Sequence, residues 1–277
     1  MLELLLPLLF AVFVWWFSTG LVLLLDGLPR TTFRWSVLIS SVLAAGALVG
    51  LAHTAAQSSV AGAFCAFTCA LLVWGWHELS FLTGWLTGPR KRASAPGLRG
   101  WPRFSEAIAA ILWHELAILA SGLAIVAITW GAPNQIGTWT FMVLWAMRTS
   151  AKLNLFLGVR NLGVEFLPPH LGYMESFFRR RPMNGLLPFS VLGAGAVLAL
   201  IVMQAVEAGA GSAARAGLTL VATMLAMAIV EHGLLVLPFQ SNALWRWAMR
   251  HRQGSAPAAN EPAVQRQPND DKLFHAR

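Results

Sequence analysis

The chain has 277 residues, 57% of them hydrophobic and only 12% charged, with a net charge of +8. Soluble domains carry about 25% charged residues, so the composition excludes an ordinary soluble domain. A positive balance in a soluble chain would point to nucleic acid; here the basic residues fall between apolar runs, beside anionic headgroups, and no nucleic-acid partner is expected.

The apolar residues cluster in runs of about 20, the length that crosses a hydrocarbon core of about 30 Å. The first run, 4–25, has no Lys or Arg before it and no A-x-A site after it. A signal peptide needs both, so this run reads as a first transmembrane helix. The second, 35–56, carries Gly46 and Gly50 at the GxxxG spacing that lets helices approach closely. The third, 60–82, holds Cys65 and Cys69. Four residues apart on one helix, they are poorly placed for a disulfide and read as small apolar residues. A connector, 87–103, follows with Gly88-Pro89 and five basic residues, and Gly84 and Gly88 repeat the GxxxG spacing. The remaining runs are 105–130, 136–158, 187–207 and 214–237. Between the fifth and sixth lies an interfacial stretch, 168–186, with Tyr173, Phe177, Phe178 and Arg179-Arg180-Arg181. After Arg250 the sequence turns to Ala, Pro, Gln, Asn and charge, too polar to bury a core. The expected architecture is an all-α polytopic transmembrane bundle of seven spans, 1–249, followed by a disordered cytoplasmic tail, 250–277.

Charge orients the bundle. With seven spans, one side receives Arg30, Arg34, Arg90, Lys91, Arg92, Arg99, Arg103, Arg160, Arg179, Arg180, Arg181 and the six basic residues from Arg246 onward. The other side receives only Arg215, while Arg148 and Lys152 lie inside the fifth span. Positive-inside asymmetry then predicts a periplasmic N-terminus, a cytoplasmic C-terminus and residence in the cell inner membrane.

Three pairs of ionisable residues fall within spans: His77-Glu78, His114-Glu115 and Glu231-His232. A charge at mid-bilayer costs about 2.5–3.5 kcal/mol by insertion scales, so each carboxylate must be protonated, paired or bound. At 1.5 Å per residue His77 and Glu231 lie ~26 Å from the outer face, and His114 lies ~14 Å from the inner one. All three pairs therefore fall in the inner half of the membrane. In the fifth span Ser150, Asn154, Gly158, Asn161 and Glu165 occupy a sector of about 80°, provided the helix continues to Pro168-Pro169. Arg148 and Lys152 lie on roughly the opposite side, able to snorkel inward or to meet a Glu.

Three readings stay open for this cluster. It is polar contact between helices; or a metal site with Glu78, Glu115, Glu165, Glu231, His77, His114 and His232 as ligands; or a cofactor site in which His77, His114, His232, Asn154 and Asn161 hold a tetrapyrrole. A di-metal centre in a helix bundle draws Glu and His from four helices, commonly with Glu-x-x-His spacing. Here His and Glu are adjacent and diverge by 100°, so that match is partial. There is no P-loop, nucleophile elbow or His-box, and no internal repeat of the transporter kind.

Four stretches carry a family resemblance: WHELSFLTGWLTGPRK (76–91), RFSEAIAAILWHELAI (103–118), RTSAKLNLFLGVRNLGVEFLPPHLGYMESFFRRRPMN (148–184) and EHGLLVLP (231–238). They resemble the PuhE family, photosynthetic complex assembly proteins of purple phototrophic bacteria, over most of residues 70–240. The resemblance implies a protein of the intracytoplasmic membrane that serves assembly of the reaction-centre/light-harvesting complex or modulates bacteriochlorophyll supply. Its implied partners are the lipid bilayer, subunits of that complex or bacteriochlorophyll biosynthesis proteins, and its implied ligand is bacteriochlorophyll. It supplies no reaction and no catalytic residues. The alternative is a membrane-embedded, metal-dependent enzyme acting on a pigment or lipid precursor, for which carboxylates converging from four helices would speak.

Overall fold

A computed structural model describes residues 2–238 and 241–253, and every extended element among them is helical. Seven long helices follow one another: α1 (Leu2–Asp26), α2 (Phe33–Ala55), α3 (Val60–Leu82), α4 (Gly100–Thr129), α5 (Ile136–Leu157), α6 (Leu186–Glu207) and α7 (Ala213–Leu234). A short amphipathic helix, α8 (Arg246–Gln253), folds back on α1. The last described residues of the expected tail are thus helical, and 254–277 lie outside the described residues.

Six of these helices are long and apolar enough to cross a membrane: α1, α2, α3, α4, α6 and α7. The fifth expected span, α5, has 22 residues but falls short on composition, because Arg148 and Lys152 lie in it. Its position accounts for this. α5 packs against α3, α4 and α7, so much of its surface meets other helices and not lipid. The outer helices show the reverse pattern. Leu38, Ile39, Val42 and Val49 of α2, and Phe189, Leu192, Leu200, Met203 and Val206 of α6, are all exposed. In water such faces would be a large apolar patch; against hydrocarbon they are the ordinary surface of a spanning helix.

The helix ends are made by particular side chains. Ser59 and Ser212 accept the first-turn amides of Gly62 and Arg215 and so start α3 and α7. Asn134 accepts from Ile136 N–H at the start of α5, while its own amide donates to Thr54 O and ties that end to the close of α2. Of the two GxxxG spacings, the first is half used. Gly50 lies against Cys69 Sγ, but nothing approaches Gly46. The second is not a helix motif: Gly84 and Gly88 sit in the connector after α3, and Gly84 has φ +79°. Cys65 and Cys69 remain free thiols with their sulfurs 4.0 Å apart.

That connector shapes the charged end of the bundle. It runs down the side of α4, where Arg90 N–H donates to Ala109 O (3.2 Å) and Thr87 O accepts from His114 N–H (2.9 Å). A loop can pair with a helical turn only if its backbone comes very close. A Cβ on Gly88 would collide with the backbone of Ala109 and Ala110, which cannot move aside. Glu106 secures the far end of the loop by pairing with Arg90 (2.9 Å) and accepting from Ser94 Oγ–H and Ala95 N–H.

Gly88→Ala is therefore expected to destabilise the purified protein by about 1–3 kcal/mol, the usual range for forcing an atom into a packed site. Gly46→Ala, which meets open space, is expected to leave thermal unfolding in detergent unchanged. Equal shifts for both variants would contradict this packing.

Candidate functional site

The ionisable residues of the spans gather in one region where α3, α4, α5 and α7 adjoin. Their arrangement is set by α5. Arg148 and Lys152 are four residues apart and share one face of that helix; Ser150 and Asn154 share another. One face is a ladder of charge, the other a ladder of neutral hydrogen bonds.

On the charged face, Arg148 Nη2 donates to Glu78 Oε2 of α3 at 2.9 Å. Lys152 Nζ donates to Glu115 Oε1 of α4 at 2.5 Å. The third carboxylate, Glu231 of α7, accepts from Trp15 Nε1–H of α1 at 2.9 Å and also feels the charge of Arg148. Arg148 and Lys152 therefore meet carboxylates, and each carboxylate has its own partner.

On the neutral face, His232 donates through Nδ1–H to Ala228 O (2.9 Å), and its Nε2 accepts from the Ser150 hydroxyl (2.9 Å). Ala228 is a carbonyl acceptor, which assigns this tautomer to the neutral ring. Asn154 is fully buried and donates to Ser150 O and Ser190 Oγ, reaching α6. Its Oδ1 accepts from Asn184, which also donates to Gly158 O and caps α6 through Leu186 N–H and Leu187 N–H.

His77 and His114 stand together, ring centroids 6.3 Å apart and edge to face. Both are buried, with Trp74, Trp76 and Phe141 against His77 and Phe81 against His114. His77 Nε2 hydrogen-bonds Ser121 Oγ at 2.9 Å. The Nδ1 atoms of both rings, and Glu78 Oε1, are buried without a hydrogen-bond partner. Neither cavity at the charged end of the bundle is lined by these rings.

The polar stripe expected along α5 does not run its full length. The helix ends at Leu157, and Gly158, with φ +122°, turns the chain away long before Pro168-Pro169. Ser150 and Asn154 stay on the stripe. Asn161 instead leaves the bundle core and caps α7, donating to Leu234 O and Leu237 O. Glu165 lies in a 3-10 turn, Val164–Phe166, after α5 has ended, and not on the helix. Among the described residues no three His, Cys, Asp or Glu side chains come together in a way that could hold a metal ion. The sequence reading missed Trp15, Ser121, Ser190 and Asn184. Ser121 had a signal, standing two turns from His114 on the same face of α4; Trp15, on another helix, had none.

Lys152→Met removes one partner of a pair enclosed in the membrane domain, and is expected to cost about 3–5 kcal/mol because it strands Glu115. Adding Glu115→Gln should recover much of that loss in chemical unfolding of the detergent-solubilised protein. Strictly additive losses would mean that the pair is not coupled.

With this geometry in hand, comparison with known proteins adds the following. No solved structure matches this chain. It is 35% identical over 261 residues, covering 93% of its own length and 95% of the relative's, to a protein of Rhodobacter capsulatus described as an uncharacterized 30.4 kDa protein in the puhA 5′ region. A profile of proteins of unknown function, DUF3623, matches residues 1–256. The chain thus belongs to the DUF3623 family.

Proposed function

We propose that this protein is an inner-membrane factor for assembly of the photosynthetic reaction-centre/light-harvesting complex, or for modulating the bacteriochlorophyll supplied to it, in preference to a metal-dependent enzyme. The observation that weighs against the metal-dependent enzyme is the charge ladder. Glu78, Glu115 and Glu231 are satisfied separately by Arg148, Lys152 and Trp15. A catalytic metal centre needs three or more protein ligands converging on one point with an open position. Here the carboxylates diverge onto three partners, an arrangement that holds helices in register. Support for the photosynthetic part comes from the relative described by its place in the puhA 5′ region, together with the resemblance of residues 70–240 to the PuhE family.

In this reading the bundle has seven spans, α5 being the enclosed one, and the basic end that holds Arg30, Arg90, Lys91, Arg92 and Arg99 faces the cytoplasm. His77 and His114 remain the pair able to take a ligand, because each has an unused Nδ1. His232 is committed at both nitrogens to Ser150 and Ala228. A pigment passing through the protein would therefore be met at the α3–α4 seam, and reaction-centre/light-harvesting subunits would be met by the lipid-facing surfaces.

Deleting the gene in its phototrophic host is expected to lower the assembled complex several-fold, read by near-infrared absorbance and native gels of membranes. The purified protein is expected to carry far less than one iron, manganese or zinc per chain. Normal complex and pigment levels in the deletion strain would sink the assembly reading. Stoichiometric metal, lost in Glu115→Ala with Glu231→Ala, would replace it with the metal-dependent enzyme.

A further inference from the structure

At the charged end of the bundle a cavity of about 290 Å³ opens between segments far apart in sequence. Arg30 comes from the turn before α2, Thr87 and Lys91 from the connector that runs along α4, and His170 and Tyr173 from the 3-10 segment Pro169–Phe177. No carboxylate lines it. Neither Arg30 nor Lys91 forms an ion pair with another described residue; the three ion pairs present involve Arg90, Arg148 and Lys152.

Two hydroxyls in the cavity wall, those of Thr87 and Tyr173, lie beside each other. Thr87 is 2% exposed, and its Oγ1 and the Tyr173 Oη are both buried without a hydrogen-bond partner. Buried hydroxyls normally find partners; where one of these two donates to the other, the second hydrogen still lacks an acceptor in the cavity. Burial raises the Tyr173 phenol above its ordinary value, so it remains a protonated donor at neutral pH. The wall itself is firmly built. His170 Nε2 hydrogen-bonds Leu82 O (2.8 Å) at the end of α3, and Gly84, with φ +79°, lets the chain bend tightly beneath that ring. The connector that carries Thr87 and Lys91 is held against α4 by Gly88.

Two cations, two hydroxyl donors and no carboxylate form a receptor for an anion with several acceptor oxygens. The cavity lies where α3 ends and α2 begins, the depth at which lipid phosphates sit in a bilayer crossed by these helices. From this geometry we infer that the cavity is a phosphate site, with Arg30 and Lys91 neutralising the charge and Thr87 and Tyr173 donating to its oxygens. An anionic phospholipid headgroup is the source that this depth favours; a soluble phosphate compound has the same chemistry. A bound headgroup would clamp the α1–α2 turn, the connector and the 168–178 segment to one another.

The test uses the full-length protein in detergent, with dioctanoyl-phosphatidylglycerol, dioctanoyl-phosphatidylcholine and inorganic phosphate as probes, read by native mass spectrometry and thermal shift. Phosphatidylglycerol is expected to bind and to stabilise. Arg30→Gln with Lys91→Gln should weaken it at least tenfold, and Thr87→Val with Tyr173→Phe several-fold. Arg34→Gln with Arg99→Gln, which removes equal charge outside the cavity, should leave it unchanged. Competition by inorganic phosphate at low millimolar concentration would keep the site and assign it to a soluble source. Equal loss in the control variant, no loss in the cavity variants, or no binding of any probe would overturn the proposal. Should the Arg30, Lys91 variant fail to fold, the Thr87, Tyr173 variant decides alone.

Discussion

A charged side chain in hydrocarbon must find an opposite charge or a hydrogen-bond partner, and this requirement organises the protein. Two cations on one face of α5 have to meet carboxylates, and α3 and α4 present the carboxylates with which they pair. Satisfying Arg148 with Glu78 and Lys152 with Glu115 therefore places α5 among other helices. Once α5 is enclosed, its opposite face must be satisfied as well. Ser150 and Asn154 do this by joining His232 and Ser190. The least apolar helix packs against α3, α4 and α7 because lipid alone would penalise its two cations.

The same logic governs the connectors at the charged end, which must close off helix termini near the interface where water is scarce. They do so with side-chain amides and imidazoles: Asn184 at the start of α6, Asn161 at the end of α7, and His170 at the end of α3. Arg103 adds a further clamp, donating to Phe177 O at 2.6 Å and lying over the Phe156 ring. The segment between α5 and α6 is thereby tied to α3, α4, α6 and α7, and the loop after α3 to α4. What looks from its basic residues like a topology signal is also a fitted surface, with a cavity and unused donors in it.

These two regions divide the functional reading between them. The charge ladder gives Glu78, Glu115 and Glu231 a separate partner each and so ties α5 and α1 to the helices that carry them. The histidine pair at the α3–α4 seam and the cavity at the end of α3 are among the places where donor or acceptor atoms remain unspent.

Much of this was legible in the chain itself. Runs of about 20 apolar residues are set by bilayer thickness, so helix positions followed from local composition to within a few residues, and α4 differed most, starting five residues earlier than its run. That the His-Glu pairs share a depth also followed, because depth is only a count along a helix. Which partner each residue takes could not be read, since that depends on helix rotation and on which helices are neighbours. Glu231 goes to Trp15, 216 residues away, and no local pattern encodes that pairing. The stripe through Asn161 and Glu165 failed at one backbone angle, the positive φ of Gly158, beyond which Asn161 caps α7 and Glu165 is exposed. Sequence alone determined the lengths, depths and chemistry of the spans, because lipid acts on each helix separately. Only the tertiary structure decided the pairings, because a buried charge is satisfied by whatever the packing of other helices brings to it.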